Sequence, residues 1–359
     1  MHEESSVAGR GARQGVTYAV LAAVLFGAST PFAKLLLRHS APVVLAGLLY
    51  AGSGLGLTIW IALRATVRSR AAASSWRGSD LSWLAASIVT GGVLGPVLMM
   101  TGLRVIPAAN ASLLLNLEGV LTAVLAWCVF RENFDRRVLA GLLAIIAGGV
   151  VLAWPARLAP ADAFGTACIA GACVCWAIDN NLTRKVSIQD PFVIAALKGV
   201  SAGAVNLGIG AYLGLLPPGV AAISAAALLG FAGYGLSLTL FVLALRHLGA
   251  ARTGAYFSTA PFIGAVASLV VFQHLPGPAL AAAALLMGMG VWLHLTEKHV
   301  HHHTHAPLLH THSHRHDAHH QHAHDFDWDG REPHEHEHQH EPLAHSHVHF
   351  PDIHHRHPH

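Results

Sequence analysis

With 359 residues, 53% of them apolar and only 11% charged, this chain has too few charges to clothe a soluble fold of its size. A net charge of +3 with histidines neutral gives no basis for nucleic-acid binding, and no GxxxxGK[ST] loop is present, which excludes nucleotide-driven pumping by this chain alone. Residues 40–63, 81–103, 138–156 and 199–245 contain no Asp, Glu, Lys or Arg. Such runs point to membrane-spanning helices, because a bilayer core takes roughly 20 apolar residues per helix and backbone groups in lipid must be satisfied within it.

In chain order, residues 1–14 are polar without a cleavable signal pattern, so a short cytoplasmic N-terminus (1–15) is expected. Spans then follow at 16–37, 41–63, 81–103, 108–130 and 138–155, and again at 163–183, 190–213, 219–245, 252–272 and 276–295. The stretch 103–132 recurs 142 positions later as 245–274: both copies begin Leu-Arg, with Ala-Ala five residues on, then Ala-Val and Val-Phe. A weaker echo pairs Phe26-Gly27 and Lys34 with Trp176-Ala177 and Arg184. Two five-helix units (16–155 and 163–295) are therefore expected, and an odd number of spans per unit inverts the second against the first. A membrane protein of two similar halves is most economically a carrier.

With the N-terminus in the cytoplasm, inner segments carry thirteen Arg and Lys, among them Arg64, Arg68, Arg70, Arg77, Arg131 and Arg184. Outer segments carry four: Lys34, Arg38, Arg104 and Arg157. That bias places both termini inside, in a multi-pass protein of a bacterial inner membrane. Trp60, Trp83, Trp127, Trp154 and Trp292 fall near span ends, where indoles prefer the headgroup region. The four cysteines lie inside expected helices and read as small buried apolar residues. No serine or histidine has the strand-turn-helix setting of an enzyme site, so no catalytic residue and no required cofactor is expected. The expected fold class is an all-α membrane protein of ten transmembrane helices in two inverted repeats, followed by a disordered tail.

The pattern resembles the drug/metabolite transporter superfamily, EamA type. The resemblance rests on Phe26-Gly27, Pro31 and Lys34 in the first span, on the repeated LRxxxAA segment, and on Glu132 after Val129-Phe130-Arg131. It covers about residues 15–295 and implies a secondary carrier of metabolites or drugs with a cavity between its halves, often proton-coupled. Two departures are visible. Gly119 stands where the family often has proline after Leu-Glu, and His274 replaces the acid ending the second copy.

Ionisable residues deep in a membrane are costly, so they face a cavity or a partner. Glu118 lies halfway along 108–130 while its repeat-mate is Ala260, so folding of the unit does not require an acid there. Thr122 shares its face and Asn116 does not. A midplane carboxylate can exchange protons or hold a cation; the plainer reading is a Glu118–Lys198 ion pair that only joins helices. Asp179 and Asn180 form a polar step four residues before the end of the sixth span, matching Ser29-Thr30 in the first. They suit a gate or cavity rim, though helix-end polarity also accounts for them. Tyr256, Ser258 and Thr259 are weaker cavity candidates.

Residues 296–359 hold 24 of the 29 histidines, lack apolar periodicity, and are expected to be a disordered cytoplasmic tail. Alternating His310, His312, His314 and His316, then His334, His336, His338 and His340, then His345, His347 and His349 suit Zn, Ni, Co or Cu. A pH-sensitive charged tail is the alternative. Three functions are open at this point: a carrier of a small organic solute, a carrier of a divalent transition metal, and a membrane-anchored metal sensor or store. The expected partners are a small-molecule substrate, the lipid bilayer and divalent metal at the tail, with homodimerisation open.

Overall fold

A computed structural model describes residues 2–67, 78–130, 136–153, 160–186, 189–295, 300–304, 308–314, 334–340 and 344–348. Glu132, His316, His349, Trp154, Arg68, Arg70, Arg77, Arg131 and Arg157 lie outside them. Up to Leu295 the described elements are all helices. α1 (His2–Leu36) and α2 (Pro42–Val67) are followed by α3 (Gly78–Ser87) and α4 (Gly95–Val105), which are joined through a wide π-helical segment, Ile88–Leu94. α5 (Ala108–Leu114) and α6 (Asn116–Phe130) form one interrupted helix, and α7 (Arg136–Ala153) closes the first half. The second half repeats the plan with α8 (Pro160–Thr183), α9 (Pro191–Tyr212), and α10 (Val220–Gly230) leading through a π segment, Phe231–Leu236, into α11 (Ser237–Phe257). α12 (Ala260–Phe272) and α13 (Pro278–Leu295) complete it. α11 doubles back on itself. Its Phe241 and Phe257 rings are 4.8 Å apart, whereas sixteen residues of straight helix would separate them by about 24 Å.

Among the described residues, seven helical stretches are long and apolar enough to cross a bilayer. Three shorter apolar helices, Leu139–Ala153, Ala260–Phe272 and Pro278–Leu293, fall where the fifth, ninth and tenth spans are expected. The outward side chains are those lipid would solvate: Leu143, Val266, Val270 and Leu285 are all exposed. Trp60, Trp83 and Trp292 are exposed near helix ends, and the Arg64 guanidinium lies 5.0 Å from the Trp60 ring centre. Cys168 and Cys173 are buried, but Cys128 is exposed, which corrects the expectation for that residue.

Equivalent helices of the two halves pack against each other antiparallel. Along α2 and α9, Val44 meets Gly210, Gly47 meets Leu207, Ala51 meets Gly203, and Gly54 meets Gly199. Likewise α7 and α13 bring Gly141 to Gly290 and Gly148 to Met287. At the Gly54–Gly199 crossing the backbones touch, and a side chain on either glycine would occupy the other helix. Gly54→Leu is expected to cost roughly 1–3 kcal/mol by overpacking this seam, seen as a lowered melting temperature in detergent.

The wide turns obey the repeat as well. Gly91 and Gly233 are 142 positions apart, the spacing of the recurrent sequence, and each takes a side chain from the opposite half. Asp179 packs on Gly91 and Ser29 packs on Gly233. The helix interruptions match too, at Leu115 in the first half and Ser258-Thr259 in the second. The first forms without the proline whose absence from position 119 gave no reason to expect it. Leu115 donates to Ser112 and Glu118 donates to Leu115, each closing a tight three-residue turn.

Lys34 has a structural task. Its ammonium donates to the carbonyls of Leu103 (2.8 Å) and Ile106 (2.6 Å), satisfying the end of α4 where peptide dipoles favour a cation.

In the tail, β1 (Val300–Thr304) pairs antiparallel with β4 (Ala344–Val348), and β2 (Leu308–His314) with β3 (His334–His340). These strands lie within the segment expected to be disordered. The β2–β3 register sets His310, His312 and His314 opposite His338, His336 and His334.

Candidate functional site between the two halves

The interruption at Leu115 places Glu118 in the first turn of α6, where the helix dipole favours an anion. Its carboxylate accepts from Asn180 Nδ2 on α8 at 2.9 Å, and the same amide lies 3.3 Å from Thr122 Oγ1, one turn along α6. Asn181 ties the helices further by donating to the Thr122 carbonyl. The pair bridges two packed helices, with Asn180 exposed and Glu118 partly buried.

Lys198 does not pair with Glu118. Its ammonium contacts both oxygens of Asp179, at 2.6 and 2.7 Å, and Asp179 Oδ1 also accepts from Ser87 (2.5 Å) and Thr183 (2.9 Å). Lys198 and Asp179 side chains are 16% and 11% exposed, so this is a nearly dry, fully bonded pair. The simple Glu118–Lys198 bridge is thereby overturned: Asp179 and Asn180 point to different neighbours, the first to the lysine and the second to the glutamate. The other half lacks the pair, since Ser29 stands in the place of Asp179 and Leu48 lies at the lysine's equivalent.

The remaining candidates separate. Asn116 is buried and donates to the Leu113 carbonyl at 2.9 Å, tying down the interruption rather than reaching Glu118. Tyr256 is 37% exposed beside the second interruption, where its carbonyl accepts from Thr259, and it does not join the Glu118–Asn180 network.

Sequence reasoning missed the aromatic residues around Gly91. The Tyr50 hydroxyl and the Trp176 indole N–H both donate to the Gly91 carbonyl, at 2.8 and 3.0 Å. Asn206 donates to the Gly92 carbonyl at 3.1 Å. A π turn leaves carbonyls off the ordinary i→i+4 ladder, and these three side chains claim them. From Tyr50 a row of rings crosses into the second half: Tyr50–Tyr234 at 5.8 Å, Tyr234–Phe26 at 5.9 Å and Phe26–Phe257 at 5.5 Å. Among the described residues, no group of three or more His, Cys, Asp or Glu is placed to hold a metal ion.

The EamA-like transporter family profile matches this chain twice, over residues 13–154 and 163–296. The chain belongs to that family. This EamA-like protein is 26% identical over 273 residues to an uncharacterized transporter of Methanothermobacter thermautotrophicus, covering 71% of this chain and 78% of the relative. A solved crystal structure superimposes with a TM-score of 0.59 at 20% identity, covering 78% of this chain and 96% of that one, and shares its fold. The family, the relative and the several apolar helices make this EamA-like chain a multi-pass membrane transporter.

Proposed function

We propose that this protein is a secondary carrier that moves a small organic metabolite or drug-like solute across a bacterial inner membrane by alternating access. Both termini are cytoplasmic, ten helices span the bilayer as two inverted five-helix units, and Glu118 is the coupling carboxylate. The observation that carries this reading is the Glu118–Asn180 pair, which joins the interrupted helix of one half to the first helix of the other. Interrupted helices at a repeat interface are where carriers bind solute. Antiparallel packing of α2 on α9 and of α7 on α13 is what rocking halves require. Asp179 and Lys198 hold the rim of the site, and Asn180 positions the carboxylate.

The test is labelling of Asn180→Cys after the four native cysteines are replaced by alanine. Membrane-impermeant maleimide should reach position 180 from either face of sealed vesicles, in proportions that shift when protein is reconstituted with a pH gradient. Labelling from one face only under every condition would reject alternating access.

The tail we read as a cytoplasmic metal buffer or metal-responsive regulator binding Zn, Ni, Co or Cu. Its alternating histidines support this, since imidazole suits these ions and binding weakens as the rings protonate. Removing residues 300–359 is expected to leave the membrane part folded and to abolish nickel or zinc binding in calorimetry. Undiminished heat of binding would assign the metal elsewhere. Carriage of the metal itself draws no support from the membrane part, whose described residues offer no shared donor set.

A further inference from the structure

We propose that Tyr50 couples the two widened turns, so that a change of shape in one is passed through its side chain to the other. The inference goes beyond the carrier reading and does not depend on Glu118. Both turns are natural bending points, because backbone bonds there reach five residues back: Gly95 donates to the Thr90 carbonyl and Ser237 to the Ala232 carbonyl. Each lies about halfway along its candidate span, Ile88–Leu94 within Gly78–Val105 and Phe231–Leu236 within Val220–Ala244. They belong to different halves, and α2 touches both.

On the first turn, the Tyr50 hydroxyl donates to the Gly91 carbonyl at 2.8 Å. The same ring stands beside Gly92, where an added β-carbon would lie 3.7 Å from Tyr50 Cε1. On the second turn, the Tyr50 ring centre is 5.8 Å from that of Tyr234, a residue of the turn itself. Neighbouring residues of α2 seat this second turn closely. The Leu49 backbone lies against Gly230 with no room for a methyl group, Ser53 lies beside Gly235, and Gly56 takes the ring of Phe231. Packing without gaps passes a displacement on instead of absorbing it. Tyr50 is therefore bonded to one turn and in ring contact with the other.

The plainer reading is that Tyr50 only satisfies a carbonyl freed by the first turn. One donor is enough to satisfy a buried carbonyl, and the Trp176 indole already donates to Gly91 at 3.0 Å. The tyrosine hydroxyl is not needed for that purpose alone. Nor does the repeat demand it, since the corresponding stretch of α9 reads Gly199-Val200 and offers no ring.

The experiment reads Tyr234 by fluorine NMR in full-length protein purified in detergent, with 3-fluorotyrosine at its five tyrosines. Single Tyr→Phe replacements assign the resonances. The first turn is disturbed by Trp176→Phe, which removes a donor to Gly91, or by Asn206→Leu, which removes the donor to Gly92. Either change should shift the Tyr234 resonance, while Tyr212, 91% exposed at the end of α9, stays in place. The same changes combined with Tyr50→Leu should leave Tyr234 where Tyr50→Leu alone puts it. Comparing shifts within each background is a double-mutant cycle, which removes the direct effect of the Tyr50 substitution. Tyr50→Phe keeps the ring and cuts only the bond to Gly91. It too should silence the transfer, and it carries the test should the leucine variant fail to fold. A Tyr234 resonance indifferent to both changes of the first turn would overturn the proposal. So would a shift of equal size in the Tyr50→Leu or Tyr50→Phe background, since the signal would then bypass Tyr50. No flux is measured, so labelling of Asn180→Cys judges the carrier separately.

Discussion

Glu118→Gln is expected to abolish or uncouple transport in proteoliposomes while leaving expression, insertion and melting temperature near wild type. The substitution is close to isosteric, and the new side-chain carbonyl can still accept from Asn180, so the α6–α8 contact survives. What is lost is the ability to carry a proton or a charge. Ala260 occupies the equivalent position in the second half, so no second carboxylate can take over through the repeat. Solute flux and solute-driven pH change should be measured together. A glutamine variant with wild-type flux and wild-type coupling would strip Glu118 of its role and with it the centre of the proposed mechanism.

Lys198→Met should be the most destabilising single change at the site. It leaves Asp179 charged in a nearly dry position with only two hydroxyl donors, Ser87 and Thr183, and removing one partner of such a pair typically costs about 3–5 kcal/mol. Asp179→Asn alone strands the lysine and should behave similarly. The double variant Asp179→Asn with Lys198→Met should recover much of the melting temperature, because neither charge then remains to be solvated. If the double variant melts no higher than the worse single one, the pair is not a self-contained unit. Recovered stability with impaired flux would show that this pair, found in one half only, serves the transport cycle as well as the fold.

The helices were readable from charge-free runs because lipid leaves a chain few alternatives, and Glu118 stood out for the same reason. The expected span 190–213 and α9 differ by one residue at each end. Partners were less readable. Asp179 and Asn180 are neighbours in sequence but about 100° apart around the helix, so they face different helices, and nothing local says which takes Lys198. Asn116 looked like a site residue because an amide in an apolar run is conspicuous. Its actual work, satisfying a carbonyl freed at Leu115, depends on a break that no proline announces. Trp176 is visible in the sequence only as the echo of Phe26 and Tyr50 not at all, since their bonds to Gly91 exist only because that stretch is a π turn. A widened turn leaves no period in hydropathy to detect.

The two widened turns also carry a history. Helices of this form are rare, and a single extra residue slipped into an ordinary helix is enough to make one. Finding Ile88–Leu94 and Phe231–Leu236 at matching places in both halves would otherwise demand the same accident twice. One insertion in a half-length ancestor, copied when that gene doubled, would account for both with a single event. The lysine–aspartate pair, by contrast, is present in one half only, so there the twins differ.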